Sequence, residues 1–270
     1  MINSLIFYDN PISRFYLNLF IDKNYNLNQI FILNKRSIFP KNLILKTQFY
    51  KNNFWALKFI KNKEIIYLNR QIEEFFSFPN NFIKKSYNFN NLYHYNEILN
   101  YANSDNVNSK QIYYIIKQSP KENILISSQH ILRNTILSLP NEFIHIHPGY
   151  LPFIKGADGS LWGPYIRKKI GASCFFLTEN IDKGKIISRV ELEMPKFKLE
   201  FINDYSIKDK YRIWFSFFDP ILRCYLLRQV LDKKIPEKEN LLDQEIINNS
   251  YYSFMDDEKK KKVFDEIFSS

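Results

Sequence analysis

Two histidines end a short apolar segment of the sequence, where a proline and a glycine follow at once. His145 and His147 belong to the run "FIHIHPG". In a β-strand, residues i and i+2 point to the same face, so both imidazoles should project together from the end of a strand. Asp182 lies in a later glycine-closed turn, from which a carboxylate can orient an imidazole and raise its basicity. These side chains predict proton-transfer chemistry, and the backbone N–H groups of the nearby loops could stabilise an oxyanion.

Other interpretations of the same residues stay open at the level of sequence. A His-x-His pair on a strand can bind zinc, with His130 or His94 as candidates for a third ligand, although neither shows a ligand spacing. The histidines could equally be satisfied polar residues at a strand end, and Asp182 an ordinary turn residue. We predict a site without metal. Cys174 is disfavoured as a nucleophile because it lies among bulky apolar neighbours, and no GxSxG motif occurs.

Glycine is confined to one region of the chain. All six glycines fall between positions 149 and 184. Glycine serves where the backbone must adopt positive φ or approach a ligand closely. The sequence therefore has neither a GxGxxG dinucleotide loop nor a Walker A loop, and close backbone contacts to a ligand are expected between Gly149 and Gly184.

The elements that should position these residues alternate between strand and helix. An apolar strand at 4–8, a helix at 11–22 capped by Asn10 and a second strand at 29–33 begin the chain. Further predicted strands at 123–127, 143–147, 172–177 and 185–192 and a helix at 159–170 continue it. This rhythm predicts an α/β fold with an open, mostly parallel, Rossmann-like sheet. We predict a catalytic domain over 1–196 and a small, mainly helical C-terminal subdomain over 197–270, in which Asp219 caps a helix that Pro220 starts.

Composition restricts the setting in which the protein works. The formal net charge is +10, which favours anionic partners such as nucleotides or nucleic acid, although scattered lysines can also form a plain solvated surface. The chain contains two cysteines, too few for a disulfide framework, and no run of 18 apolar residues. We therefore expect a cytoplasmic protein without membrane association.

The segments "FIHIHPGYLPFIKGADGSLWG" and "GASCFFLTENIDKGKII" resemble the core of the formyltetrahydrofolate-dependent formyltransferases. That family has a strand ending in N-x-H-P, an LLP-x-x-(R/K)-G loop, a helix, G-(A/V)-(S/T) at the start of a strand, and D-x-G-x-I. The matching residues here are His147-Pro148, Leu151-Pro152, Lys155-Gly156, Gly171-Ala172-Ser173 and Asp182-Lys183-Gly184. The resemblance is specific over residues 123–192 and faint over 1–122.

The resemblance implies 10-formyltetrahydrofolate as cosubstrate and no metal. It makes His147 the general base and Asp182 the residue that orients it, and it places His145 where the family has an Asn that holds the formyl oxygen. The implied folate-binding residues are Ile126, Ser127, Gln129, His130, Ile131, Thr178, Glu179, Asn180 and Ile181. The implied acceptor-binding residues are Gly149, Tyr150, Lys155 and Asp158.

Among the acceptors that the family uses, the primary amine of a nucleotide-linked amino sugar fits this chain best. Transfer RNA is the weaker alternative, because the last 70 or so residues read as helical rather than as the β-rich domain of methionyl-tRNA formyltransferases. A non-catalytic folate- or nucleotide-binding protein on the same scaffold also stays open, because His145 replaces the family's Asn. Homodimer formation is left open.

Overall fold

The computed structural model of this protein describes residues 1–35, 40–128, 130–197, 199–247 and 250–268. Its strands are β1 Ser4–Tyr8, β2 Gln29–Leu33, β3 Leu99–Tyr101, β4 Asn123–Ile126, β5 Glu142–His147, β6 Lys155–Gly156, β7 Lys169–Phe176, β8 Ile186–Glu193 and β9 Tyr251–Tyr252. Its α-helices are α1 Pro11–Asp22, α2 Lys41–Asn52, α3 Phe54–Phe59, α4 Lys63–Phe75, α5 Phe82–Ser86, α6 Lys110–Lys117, α7 Asn134–Leu137, α8 Gly159–Arg167, α9 Ile207–Ile213, α10 Asp219–Leu231 and α11 Asp257–Ile267. Within these described ranges, no helix has the length and apolar character of a membrane span.

Seven strands form one sheet in the order β3-β2-β1-β4-β5-β7-β8. The first five in this order are parallel, whereas β7 runs antiparallel to β5 and pairs with β8 in an antiparallel hairpin. The predicted α/β class with an open, mostly parallel sheet is therefore confirmed. β6 and β9 form a separate two-stranded sheet.

Both faces of the inner strands β1, β2 and β4 are mostly buried, as is usual for parallel strands. Leu5 and Phe7 of β1 pack in a core shared with α1 and α10, and Ile6, which points the other way, packs with Ile112 of α6 and Ile136 of α7. α1 begins as the sequence predicts, because the Asn10 side chain accepts a hydrogen bond from the backbone N–H at position 13.

Asn53 separates α2 from α3. One predicted helix start differs from the observed structure. Asp219 is not a helix cap, because α9, a π-helical turn at 214–218 and α10 follow one another without a non-helical residue. Its carboxylate accepts a hydrogen bond from Arg223 one turn later.

The C-terminal region is mainly helical, and it packs directly on the sheet. Ile213, Phe217, Ile221 and Leu222 belong to the same buried core as Leu5 of the inner strand β1. A covering layer of this kind buries one face of the parallel strands. The division into domains at residue 196 remains a prediction.

Candidate active site

The carboxyl end of β5 carries the two histidines. β5 lies between β4 and β7, with Ile126 opposite His145 and Ser173 opposite His147. Since Phe143 packs in the core on the α6 and α7 face, strand alternation places both histidines on that face. His147 is buried, with 3% of its surface exposed, and His145 is half-buried.

Backbone encloses the imidazole of His147. Its Nε2 lies 2.9 Å from the carbonyl oxygen of Ile154, and since a carbonyl only accepts, Nε2 carries the proton of this hydrogen bond. A Cβ atom on Gly149 would lie 2.6 Å from Nε2, and one on Gly159 would lie 3.0 Å from it. The two glycines therefore leave the space that the ring occupies.

Asp182 reaches the other side of the same ring. Its Oδ2 lies 3.7 Å from His147 Nδ1, which is ion-pair range but longer than a hydrogen bond. The same oxygen accepts a hydrogen bond of 2.8 Å from the N–H of Gly156. Asp182 adopts a left-handed conformation with φ of 53°, which Asp tolerates better than most residues. The predicted meeting of His147 and Asp182 is thus present in the structure.

This geometry suits a base that is neutral at rest. Burial is the main cause that lowers the pKa of His147, Asp182 acts in the opposite direction, and the Arg223 guanidinium lowers the pKa further. In the neutral ring Nε2 donates to Ile154, so the free lone pair is at Nδ1 and faces the carboxylate. A proton accepted at Nδ1 would lie between imidazole and carboxylate, where the negative charge stabilises it.

His145 has a different environment. Its Nδ1 lies 3.3 Å from the carbonyl oxygen of Ile126, and its ring packs edge-on against Phe175 with centroids 6.0 Å apart. Burial and the nearby Arg223 lower the pKa of His145 to about 3. A neutral ring that donates from Nδ1 to Ile126 has only an acceptor at Nε2. In this arrangement His145 offers no free N–H to a formyl oxygen, which opposes the predicted oxyanion role.

The low pKa of His145 makes stability depend on pH. Its folded-state pKa of about 3 lies below the ordinary 6.5, so between these values the unfolded chain binds a proton that the folded protein does not. Stability contributed by the neutral ring is therefore present above pH 6.5 and is lost as the pH falls towards 3. Denaturant unfolding across this range should show a smaller acid-induced loss in His145→Asn than in the wild type, and parallel curves would contradict this.

A buried ion pair, which the sequence did not predict, lies behind β5. The Arg223 guanidinium donates from Nη1 to the carbonyl oxygen of Ile146, between the two histidines, and from Nε to Asp219 Oδ1 at 2.7 Å. Arg223 is 6% exposed and Asp219 is 1% exposed. The i,i+4 spacing of an acid and an arginine on one helix was the available signal, but nothing local indicated that this pair would face β5.

The loop after β5 is held by the C-terminal segment. Lys155-Gly156 pairs in parallel with Tyr251-Tyr252, and the Trp162 ring stacks on Tyr252 with centroids 4.9 Å apart. Asp158 accepts from the Tyr211 hydroxyl and from the Met255 N–H, both at 2.9 Å. Both oxygens of Asp158 are thus engaged by the protein, which gives this carboxylate a structural function. Its contact with a substrate amine remains a prediction.

The other predicted acceptor residues surround this loop. Gly149 leaves space for the His147 ring, which a Cβ atom would fill, and its carbonyl accepts from the Ser173 hydroxyl. Tyr150 packs in parallel on Phe153 with centroids 6.0 Å apart, and the Arg189 guanidinium lies 4.5 Å from its ring centroid. Burial, followed by the charge of Lys183, lowers the pKa of Lys155, whereas Asp182 acts against this shift.

The two predicted folate-binding segments, 126–131 and 178–181, differ in how far their polar groups are already hydrogen-bonded within the protein. Ser127 is engaged by the protein, because its N–H donates to Ile6 and its carbonyl accepts from Asn10. His130 is exposed and packs edge-on against Tyr8. The Ile126 carbonyl contacts His145, and the Thr178 hydroxyl donates to the Asn180 carbonyl. The exposed residues of these segments are Ile131, Glu179, Asn180 and Ile181. Gln129 lies outside the described residues.

The alternative chemistries gain no support from the geometry. In the described ranges, no three His, Cys, Asp or Glu side chains come together in a group that could hold a metal ion. Burial raises the pKa of the Cys174 thiol far above its ordinary value, which disfavours a nucleophilic thiolate.

A separate cavity of about 210 Å³ lies between the start of α1, α3 and the start of α10. Its wall includes Asn10, Asn53, Trp55, Arg212 and Asp219, and none of the site residues predicted from the sequence. The cavity and the histidine pair are connected through Arg223, which binds both Asp219 and the Ile146 carbonyl.

Several solved structures are similar to this chain over most of its length. A sugar N-formyltransferase from a Shewanella species is 16% identical, with a TM-score of 0.46 over 94% of this chain and 77% of that protein. A 4-N formyltransferase from Francisella tularensis is 15% identical, with a TM-score of 0.45 over 93% and 75%. A glycinamide ribonucleotide transformylase from Symbiobacterium toebii is 10% identical, with a TM-score of 0.46 over 90% and 93%. No family model matches the chain, and no curated protein is similar to it.

Proposed function

We propose that this protein transfers the formyl group of 10-formyltetrahydrofolate to a primary amine. The observation that carries the proposal is the pairing of His147 with Asp182 at the end of β5. A buried, neutral imidazole beside a carboxylate is suited to take a proton from an amine as that amine attacks a carbonyl carbon. The order of matching motifs over residues 123–192 supports the same reaction.

In the proposed reaction, the acceptor nitrogen forms a bond to the formyl carbon and loses a proton to His147 Nδ1. Asp182 stabilises the imidazolium that results, and the hydrogen bond from Nε2 to Ile154 fixes the ring. The bond from the formyl carbon to the folate nitrogen then breaks, and that nitrogen takes up the proton that the His147 imidazolium gives back. The products are a formamide and tetrahydrofolate, so atoms and charge balance without a metal.

The exposure of residues 179–181 supports the proposed folate contact on the side of Asp182. A folate pterin presents an amide-like edge, which main-chain donors and acceptors can bind. On the β4 side, the Ser127 and Ile131 carbonyls already accept from Asn10 and Asn108, so we propose that the exposed residues His130 and Ile131 form the contact there mainly through other groups. We propose a nucleotide-linked amino sugar as the acceptor because it combines a primary amine with a diphosphate that basic side chains can bind.

Replacement of His145 by asparagine should raise the rate of formyl transfer. His145 in its observed state has no free N–H for the developing oxyanion, whereas an asparagine amide can donate one. Steady-state kinetics on His145→Asn and wild type would measure the change, with His94→Asn, at an exposed imidazole, as control. A lower rate in His145→Asn would show that the imidazole itself supports the reaction.

A non-catalytic binding protein is the second candidate, and one observation favours it. Both ring nitrogens of His147 face protein acceptors, and only 3% of the residue is exposed. A substrate amine reaches this ring only if the loop after β5 moves. A protein that binds folate without turnover would not need this movement.

One experiment separates the two candidates. Purified protein is incubated with 10-formyltetrahydrofolate, and folate binding and tetrahydrofolate release are followed with a UDP-linked amino sugar, glycinamide ribonucleotide, methionyl-tRNA or no amine. We expect amine-dependent release, strongest with the amino sugar. Binding of folate with no release in the presence of any amine would identify a binding protein and overturn the enzymatic proposal.

A further inference from the structure

One segment of the chain carries almost all of the net positive charge. Residues 23–63 contain nine lysines and arginines and no aspartate or glutamate, whereas the formal net charge of the whole protein is +10. The rest of the chain is therefore close to neutral. A block of like charge of this kind indicates a surface that binds an anionic partner.

The lysines of this segment differ in their partners from the other lysine-rich part of the chain. The four lysines at 259–262 each form an ion pair with an acidic residue at most four positions away. Within residues 23–63, Lys23 and Lys35 also pair with acidic residues. Lys46 and Lys51 on α2 are exposed, and neither forms an ion pair with a described residue. Their charges are therefore available to a partner.

The residues that α2 buries fix the direction in which its outer face points. Leu45 and Phe49 are buried, so the opposite face of the helix lies in solvent. Leu43 and Tyr50, which are seven residues apart, lie together near the centre of this outer face. Phe54 follows at the start of α3, and all three of these apolar side chains are at least 50% exposed. α2 thus presents apolar surface to solvent as well as to the core.

Lysines flank the apolar centre of the outer face. At about 100° per residue, Lys46 lies roughly 40–60° to one side of Leu43 and Tyr50, and Lys51 lies roughly 80–100° to the other side. Helices that lie in a membrane interface have this arrangement, with apolar side chains at the boundary between headgroups and acyl chains and lysines at the anionic headgroups. Nucleic acid matches the face less well, because it binds through phosphate contacts and base stacking, and the aliphatic Leu43 contributes to neither.

We propose that the outer face of α2 docks the protein reversibly on an anionic phospholipid surface. Leu43, Tyr50 and Phe54 enter the boundary between headgroups and acyl chains. Lys46 and Lys51 contact the lipid phosphates, and the two contributions together give the binding that neither gives alone. This docking departs from the expectation of a protein without membrane association, which rested on the lack of a long apolar run. It does not depend on the proposed formyl transfer.

Vesicle sedimentation tests the docking. The full-length protein is mixed with vesicles of phosphatidylcholine alone or of equal parts phosphatidylcholine and phosphatidylglycerol, and the bound fraction is measured. We expect binding to the anionic vesicles, little binding to the neutral ones, and weaker binding as the salt concentration rises. No binding to the anionic vesicles at low salt, or equal binding to both kinds of vesicle, would overturn the proposal.

Two double variants separate the charged from the apolar contribution. Lys46→Gln with Lys51→Gln should weaken binding to the anionic vesicles roughly 25-fold, about fivefold for each charge removed near the membrane. Leu43→Ser with Tyr50→Ser should weaken it by roughly tenfold or more without a change in charge. All four positions are exposed, and thermal unfolding confirms that both variants are folded. Wild-type binding by a folded form of either variant would overturn the proposal.

The matched control is Lys259→Gln with Lys262→Gln, which removes the same charge from α11, where the lysines are already paired. It should bind the vesicles as the wild type does. Equal losses in the α2 and α11 charge variants would show attraction by net charge alone and overturn the docking face. Binding of a single-stranded RNA that depends on the α2 lysines, with no binding to anionic vesicles, would assign the face to nucleic acid and overturn the proposal.

Discussion

Replacing His147 by glutamine should lower the rate of formyl transfer by about 100- to 10,000-fold, the usual contribution of a general base. Glutamine can still donate to the Ile154 carbonyl, but it cannot accept a proton at the position of Nδ1. The loss should appear in kcat, because the imidazole acts on the proton of the attacking amine rather than on substrate binding. Folate binding by the variant should stay near that of the wild type.

His94→Gln is the matched control, because His94 is an exposed imidazole that packs edge-on against Tyr95. It should leave the rate unchanged. A His147→Gln protein that is folded and as active as the wild type would remove the central residue of the proposed mechanism.

Replacing Arg223 by methionine should lower the free energy of unfolding by about 3–5 kcal/mol, as expected when one partner of a buried ion pair is removed. The variant leaves the buried Asp219 carboxylate without its cation and the Ile146 carbonyl without its donor. Because Arg223 lowers the pKa of both His145 and His147, their pKa values should rise in this variant. Denaturant unfolding measures the first effect, and NMR titration of the imidazoles measures the second.

The double variant Arg223→Met, Asp219→Leu separates charge from packing. If the loss in the single variant comes from an uncompensated carboxylate, the double variant should recover most of the stability. Lys262→Met, which breaks an exposed pair with Glu258, should change stability little. A double variant as unstable as Arg223→Met would contradict the electrostatic explanation and point to lost packing.

The local parts of the fold and site follow from the sequence. Asn10 before Pro11 marked the start of α1, and the alternation in "FIHIH" placed both histidines on one face of β5. The pairing of His147 with Asp182 followed from the order of the motifs around them. Each of these features is set by residues that are close together in the chain or by motifs that occur in a fixed order along it.

The parts that escaped prediction depend on contacts between distant segments. The pairing of β6 with β9 brings residue 251 onto the loop at 155, and no periodicity in either segment indicates it. Arg223 binds a backbone carbonyl 77 positions away, so its role depends on how α10 packs against β5. His145 lies at the expected position. Its Nδ1 donates to the Ile126 carbonyl because β4 and β5 pair in a register that places Ile126 opposite His145, and the sequence does not show this register.

Transfer of an isotope label tests the central claim most directly. The protein is supplied with 10-formyltetrahydrofolate labelled at the formyl carbon and with an amino-sugar nucleotide, and NMR follows the label. The proposed pair of His147 and Asp182 predicts a labelled formamide with the wild type and far slower formation of it with folded His147→Gln or Asp182→Asn. Equal amounts of formamide from all three proteins, or none from a folate-bound wild type with any amine, would contradict the claim that this imidazole and this carboxylate carry the proton.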